Sequence, residues 1–144
     1  PPPPPPPPPF FFSSRRRHTR FALVSGLGDV YKRQVGLNSI EVAKNNGVKI
    51  GHGSDLLGEC QIYQSDELSI KAEVVGNYEA IRHATEVNAE ILNMSDELGV
   101  IKENALADIL IVDGNPSKDI GLLTNDAKFI PKIMKDGVFY KNVF

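Results

Sequence analysis

The sequence predicts an α/β fold, and the spacing of its apolar residues is the main reason. Between residues 78 and 92 apolar side chains recur roughly every three or four positions, which is typical of an amphipathic helix. After residue 98 they alternate or form short continuous runs, which is typical of strands. Glycine and asparagine residues that favour turns separate these segments, so helices and strands follow one another along the chain.

The first predicted elements are a short helix, a strand and a turn. Ser39 can act as the N-cap of the helix, and the Asn-Asn-Gly sequence at 45–47 ends it because these residues tolerate the left-handed conformation. Residues 48–50 are predicted to form a short strand. The strand ends in a glycine-framed turn over residues 51–55.

Two further helices and a β-rich tail follow. The first helix is predicted to begin with Ser65 as its N-cap and to end at Gly76, and the second covers residues 78–92. Strands are predicted over residues 99–101, 107–112, 132–135 and 138–140. Asp136-Gly137 lies between the last two strands and is a two-residue hairpin signal.

Residues 1–34 differ from the rest of the chain. They contain nine consecutive prolines, a Phe-Ser run and a cluster of arginines, and they resemble translated sequencing-adapter read-through behind a homopolymer tract. We expect them to be disordered and to take no part in the fold. A genuine N-terminus of this kind would instead form a polyproline II rod for SH3 or WW domains, with the basic residues 15–20 beside it.

The composition of residues 35–144 excludes several classes of protein. Six of the 16 Lys and Arg residues and one of the 18 acidic residues precede residue 35, which leaves 10 basic and 17 acidic side chains and a formal charge of −7. This acidic balance argues against a nucleic-acid surface. A single cysteine, Cys60, excludes an internal disulfide framework, and no apolar run approaches the roughly 20 residues that span a bilayer. We expect one small cytoplasmic domain without a membrane partner.

Five segments together resemble a known family. They are GVKI leading into GSD at 47–55, IRHAT at 81–85, LGVI at 98–101, ALADILIVDGNP at 105–116 and IMKDG at 133–137. On these segments residues 35–144 are similar to the C-terminal end of a metal-dependent amidohydrolase. The branch they resemble is related to imidazolonepropionase and includes Xaa-Pro dipeptidase-like members.

This resemblance has implications for fold and activity. It implies that residues 35–97 are the last part of a (β/α)₈ barrel and that residues 98–144 are strands of a small β-sandwich domain. It also implies a hydrolase that cleaves amide, cyclic amide or dipeptide C–N bonds with metal-activated water. Zinc is the expected metal, as one or two ions in the intact enzyme. The expected substrate is a small molecule, and the intact enzyme is expected to be a homo-oligomer.

The resemblance assigns Asp55 to the metal centre and to catalysis, because the last barrel strand of the family delivers an aspartate to the metal. Barrel enzymes place catalytic groups at the C-terminal ends of strands, and Asp55 follows the predicted strand 48–50 after a small-residue turn. A carboxylate beside a divalent metal can take the proton of the attacking water and pass it to the leaving amine. Without the other segments, a Ser-Asp pair after glycine is more often an Asx-turn or a helix cap.

Three residues of the turn and of the loop after it are candidates for the substrate pocket: His52, Ser54 and Gln64. His52 is interpreted as a pocket wall rather than a metal ligand, because members of the resembled family usually carry an apolar or aromatic residue there. Capping of the next helix by Ser65 accounts for most of the segment around Gln64. His83 is interpreted as a helix-surface or packing residue.

Two features of the tail are interpreted as structural. Asn104 stands where the resembled family usually has glycine, and asparagine visits positive φ more readily than other non-glycine residues. Asp108 and Asp113 bracket an apolar strand, and residues 113–116 are predicted to form a turn after it.

The chain is expected to be inactive on its own and to be a fragment of the enzyme. A catalytic zinc needs about three protein ligands and an open position for water. The histidines are His18, His52 and His83, and the sequence contains no His-x-His pair. The predicted strand 48–50 also lacks neighbouring barrel strands, so we expect an incomplete core. A non-catalytic interaction module and a polyproline-bearing scaffold are the alternative functions.

Overall fold

The computed structural model describes residues 27–124 and 126–143, with side chains from residue 34 onwards. The elements in chain order are helix α1 (Leu27–Asn45), a 3₁₀ turn (Gly58–Tyr63), α2 (Asp66–Val75), α3 (Asn77–Arg82), a π turn (His83–Val87), α4 (Asn88–Ile91), β1 (Ile109–Ile111), a second 3₁₀ turn (Ile120–Leu123), β2 (Lys132–Lys135) and β3 (Val138–Asn142). Helices therefore precede the sheet, in agreement with the predicted α/β class. The expectation of disorder for residues 1–26 lies outside the described residues.

Helix α1 begins at Leu27 and therefore crosses the predicted boundary at residue 34. No proline interrupts this part of the sequence, and the Gln34 side-chain amide donates to Asn38 Oδ1 at 2.9 Å across one helical turn. Ser39 lies inside the helix and is not its N-cap. The Ser39 hydroxyl donates to the Gly36 carbonyl at 2.7 Å, a local bond that a serine within a helix can make.

The predicted end of the first helix is confirmed at Gly47, which has a φ of 66°. The Gly47 N–H donates to the Lys44 carbonyl at 3.1 Å, and the Val48 N–H donates to the Ala43 carbonyl at 3.0 Å. These two bonds around a left-handed glycine form a Schellman motif, which satisfies the last carbonyls of a helix. The motif ends α1 and directs the chain into residues 48–50.

Residues 48–50 pair with no described strand, so the strand predicted there is wrong. A strand requires a neighbour that supplies a ladder of hydrogen bonds, and no described strand lies beside residues 48–50. The strand predicted over residues 99–101 is absent for the same reason. A surface ion pair, Lys49 Nζ to the Glu90 carboxylate at 2.7 Å, links this segment to α4.

The helices predicted after Ser65 and from Tyr78 are confirmed, although a π turn separates α3 from α4. Gly76 has a φ of 88° and separates α2 from α3 as predicted. Ser65 precedes α2 as predicted, but its side chain makes no capping hydrogen bond. Its hydroxyl donates to the Thr124 carbonyl at 3.1 Å. Among the described residues, the buried apolar side chains are Val75, Ala80, Val87, Ala89 and Ile130.

The three strands form an antiparallel sheet in the order β1-β2-β3. Lys135 pairs with Val138 at the end of the β2–β3 hairpin. Asp136 and Gly137 both have positive φ, 48° and 77°, which is the geometry of a type I′ turn. The predicted two-residue hairpin is therefore confirmed.

The residues interpreted as structural in the tail have structural contacts. The Asp108 carboxylate accepts the Asp136 N–H at 2.7 Å and contacts Lys135 Nζ at 3.1 Å. Asp108 thus fixes the hairpin turn beside β1. Asn104 has a φ of 67°, as expected for a residue in a position that favours glycine.

Gly99 lies where the chain after α4 passes the π turn. Its φ is 73°, and a Cβ atom at this position would lie 2.6 Å from both the carbonyl carbon and the carbonyl oxygen of Thr85. Backbone atoms cannot move aside as the end of a flexible side chain can. The conformation and the space both require glycine here.

We expect Gly99→Ala to lower the free energy of unfolding by about 2–4 kcal/mol, because it combines a positive φ with a backbone clash. Urea denaturation followed by circular dichroism measures the change. Gly36→Ala is the matched control, since a Cβ at Gly36 meets no atom within 4 Å. Alanine inside α1 is expected to stabilise by about 0.5–1 kcal/mol. Equal midpoints for the two variants would contradict this account of Gly99.

Candidate functional site

The candidate site is the turn of residues 51–55, which ends in Asp55. Asp55 is exposed and has a φ of 49°, a left-handed conformation that aspartate adopts more readily than most residues. Its carboxylate makes no hydrogen bond or ion pair with any other described residue. Such a carboxylate is available to bind a cation or to accept a proton.

The backbone of the turn is bonded to α4 through Asn88. The His52 N–H donates to Asn88 Oδ1 at 2.9 Å, and Asn88 Nδ2 donates to the His52 carbonyl at 2.9 Å. The approach is close, because a Cβ on Gly51 would lie 2.7 Å from Asn88 Oδ1 and 2.9 Å from Ile91 Cδ1. A Cβ at residue 51 would therefore require the Asn88 and Ile91 side chains to shift.

A second connection runs from the turn to α2 through two charged residues. Lys71 is only 3% exposed, and its Nζ donates to the Gly51 carbonyl at 2.6 Å. Glu67 lies one helical turn earlier, and its Oε1 is 3.5 Å from Lys71 Nζ and 3.5 Å from the Gly53 nitrogen. The turn is thus held from two sides, by α2 and by α4.

Burial controls the protonation of the ionisable groups beneath the turn. Desolvation lowers the pKa of Lys71, and the nearby Glu67 carboxylate opposes this shift. Desolvation also lowers the pKa of His52; the Lys71 charge adds to that effect and Glu67 opposes it. The pKa of His83 is lowered by burial first and then by Lys71. Both histidines therefore favour the neutral form.

The predicted site residues differ in their burial and in their contacts. The His52 side chain is 17% exposed, and its Nδ1 is buried, 3.7 Å from Glu67 Oε1, with no hydrogen-bond partner among the described residues. Ser54 is half-buried, whereas Gln64 is exposed at the end of the first 3₁₀ turn. His83 is buried inside the π turn, so the interpretation as a packing residue is confirmed.

Sequence reasoning missed Glu67, Lys71 and Asn88, which hold the turn. One signal was present, since Glu67 and Lys71 are four positions apart on a helix and can therefore face each other. Lys71 also lies four positions before the buried Val75, on the same face of α2. A lysine on an apolar helix face indicates a buried partner.

The described residues do not by themselves fit a catalytic zinc centre. No group of three or more His, Cys, Asp or Glu side chains in the described ranges is placed to hold a metal ion. Asp55 supplies one candidate ligand, and a catalytic zinc takes about three. His52, the histidine in the same turn as Asp55, has its Nδ1 directed toward Glu67 Oε1 at 3.7 Å.

Two surface cavities lie elsewhere. One, of about 340 Å³, lies between α1 and α2, and the other, of about 210 Å³, lies between residues 47–50 and His83. Asp55 lines neither of them. No helix in the described part of the chain has the length and apolar character needed to cross a membrane.

A sequence model of the amidohydrolase family matches residues 20–139, which is most of the chain. The chain belongs to the amidohydrolase family. The resemblance found in the sequence is therefore confirmed at the level of the family. Among proteins with curated descriptions, none matches the chain significantly.

Solved structures of amidohydrolases match the fold. One amidohydrolase is 51% identical, with a TM-score of 0.74 over 76% of this chain and 26% of its own. A prolidase complexed with N-methylphosphonate-L-proline is 46% identical, with a TM-score of 0.74 over 79% of this chain and 28% of its own. A Xaa-Pro dipeptidase with methionine bound in its active site is 32% identical, with a TM-score of 0.65 over 74% and 25%. The chain thus spans about a quarter of the length of these proteins.

Lowering the pH is expected to destabilise the chain because of His52 and His83. Their pKa values lie below the ordinary value of 6.5, so the unfolded chain binds more protons than the folded chain below about pH 6.5. The contribution of the two neutral histidines to stability is therefore fully present above that pH. It falls as the pH drops toward the lowered pKa values of the folded state. Urea midpoints measured between about pH 7.5 and pH 5.5 test this expectation.

The matched variant for this experiment is His52→Gln combined with His83→Gln. The charged groups acting on the two rings are Glu67, Lys71, Glu79 and Arg82, and all of them remain in this variant. We expect its urea midpoint to vary less with pH than that of the original chain. The same pH dependence in both proteins would show that other groups are responsible.

Proposed function

We propose that this chain forms the C-terminal part of a hydrolase that cleaves C–N bonds in small-molecule amides, cyclic amides or dipeptides. The observation that carries the proposal is the match to the amidohydrolase family over residues 20–139, together with the fold. Xaa-Pro dipeptides are the first candidate substrates, because the similar structures include a prolidase holding a proline-based phosphonate and a Xaa-Pro dipeptidase. Residues 35–97 would belong to the barrel of this enzyme and residues 98–144 to its β-sandwich domain.

Within this enzyme we assign Asp55 to the metal site. Its carboxylate is exposed and lies at the end of the segment 48–55, where the last strand of a barrel would present its catalytic group. The divalent metal of the family, with zinc as the expected ion, would need further ligands from outside the described residues. Asp55 would supply one carboxylate ligand and accept the proton of the attacking water.

The structure supports the three candidate residues of the substrate pocket to different degrees. His52 is held by its backbone and is directed toward Glu67, which suits a pocket wall better than a metal ligand. Ser54 immediately precedes Asp55 and is half-buried, so it could contact a substrate bound beside the carboxylate. Gln64 is exposed beyond the first 3₁₀ turn and would contact only the outer part of a substrate.

The 144-residue chain alone is expected to be inactive, because a single carboxylate cannot hold the metal that activates water. The test is complementation. The chain is co-expressed with the part of the 51% identical amidohydrolase that it does not match, which is about three quarters of that protein. Hydrolysis of Xaa-Pro dipeptides is expected only when both pieces are present, and Asp55→Asn should lower kcat/KM by about 100-fold or more and reduce bound zinc.

Glu59→Gln is the matched control for Asp55→Asn. Glu59 is an exposed acidic residue four positions after Asp55, in the first 3₁₀ turn, and the same charge is lost in both variants. We expect Glu59→Gln to keep the activity and the zinc content of the complemented enzyme. Full activity with Asp55→Asn would remove Asp55 from the metal site. Assembly without hydrolysis of any dipeptide or cyclic amide would contradict the proposed substrate classes.

A further inference from the structure

The turn that carries Asp55 is held by side chains where a barrel strand would be held by neighbouring strands. Residues 48–50 pair with no described strand, and the backbone of residues 51–53 is nevertheless bonded at several points. Those bonds come from α2 and α4. They therefore determine where the turn lies relative to the helices.

Asn88 reproduces the hydrogen bonds of a strand neighbour. Its side-chain amide accepts from the His52 N–H and donates to the His52 carbonyl, both at 2.9 Å. This two-bond exchange is the pattern that one residue of an antiparallel ladder offers to the residue opposite. Asn88 is half-buried, and Gly51 leaves the space that brings its amide within reach. A shorter or apolar side chain at residue 88 would leave the His52 N–H and carbonyl unpaired.

Lys71 holds the residue before His52. Its Nζ donates to the Gly51 carbonyl at 2.6 Å, and Lys71 is buried, with an exposed fraction of 3%. Lysine is rarely buried unless it is paired, because desolvation of the ammonium group is costly. The Glu67 carboxylate at 3.5 Å and the Gly51 carbonyl are the partners that offset this cost.

We infer that Lys71 and Asn88 are positioning residues that fix the backbone of residues 51–53 and thereby the left-handed conformation and orientation of Asp55. The inference rests on the proposed function, because the importance of Asp55 derives from its place in the hydrolase. Two residues separate His52 from Asp55, so a displacement of the held backbone changes the position of the carboxylate. Catalytic groups lose much of their effect when they are misplaced by about 1 Å.

The inference is tested by NMR on the 144-residue chain, with Lys71→Met and Asn88→Ala as the variants. Asn88→Ala is expected to raise the exchange rate of the His52 amide by about tenfold or more, because the amide loses its acceptor. Lys71→Met keeps an apolar side chain in the buried position and removes the donor to Gly51. It is expected to shift the Gly51 carbonyl carbon signal. Both variants should move the Asp55 amide and Cβ signals toward those of a conformationally averaged chain.

Two further variants separate positioning from general loss of structure. Lys49→Met removes a lysine that also connects this segment to a helix, but its side chain is 68% exposed and its partner is the Glu90 side chain. We expect it to leave the Asp55 signals unchanged. Lys71→Arg retains a donor at the buried position and should restore the Asp55 signals toward those of the original chain. The signals of α3 and the hairpin report whether each variant is folded.

The outcomes distinguish this inference from the proposed function. Unchanged Asp55 signals in folded Lys71→Met and Asn88→Ala would overturn the inference, whatever the activity of the complemented enzyme. Equal Asp55 signals in Lys71→Met and Lys71→Arg would also overturn it for Lys71. If Asn88→Ala is unfolded, the comparison of Lys71→Met with Lys71→Arg tests the inference. If the Asp55 signals move as expected but complementation yields no hydrolase, the positioning contacts stand and the proposed function fails.

Discussion

The two hydrogen bonds between the Asn88 side chain and the His52 backbone are the contacts on which the arrangement of the candidate site depends. Asn88 is the first residue of α4, directly after the π turn. A π turn adds a residue to one helical turn and so changes the faces on which the following residues lie. The close fit of Gly99 against the Thr85 backbone in that turn connects the start of the tail to the same feature. The π turn and the residue directly after it therefore contact both the turn of residues 51–55, through Asn88, and the start of the tail, through Gly99.

The buried Lys71 shows how electrostatics and geometry combine beneath the site. Removing an ammonium group from water is unfavourable, and lowering of the Lys71 pKa is one expression of that cost. A buried ion pair contributes little net stability when its desolvation is included, although loss of one partner is costly. The Lys71–Glu67 pair is therefore better explained by the position it imposes on Gly51 and Gly53 than by a gain in stability.

The helices and the sheet are joined by a small number of polar contacts. The Ser65 hydroxyl bonds to the Thr124 carbonyl, Asn77 Nδ2 bonds to the Lys118 carbonyl at 3.0 Å, and the Leu106 N–H bonds to the Glu97 carbonyl at 2.9 Å. Large apolar side chains remain exposed on β1 and β3: Leu110, Ile111, Val138, Phe139 and Tyr140. Consecutive residues of a strand point to opposite faces, so both faces of this small sheet carry exposed apolar side chains. This exposure supports the proposal that the chain is one part of a larger enzyme.

Local sequence determined the elements whose hydrogen bonds are local. The helical segments, the end of α1 at Gly47, the Asp136-Gly137 hairpin and the positive φ of Asn104 follow from helical periodicity and from residues that tolerate a left-handed backbone. The sequence segments also identified the amidohydrolase family. Only the tertiary structure decided the roles of Ser65, Lys71 and Asn88. Those roles depend on partners that are 59, 20 and 36 positions away, and a local pattern carries no information about such distant partners.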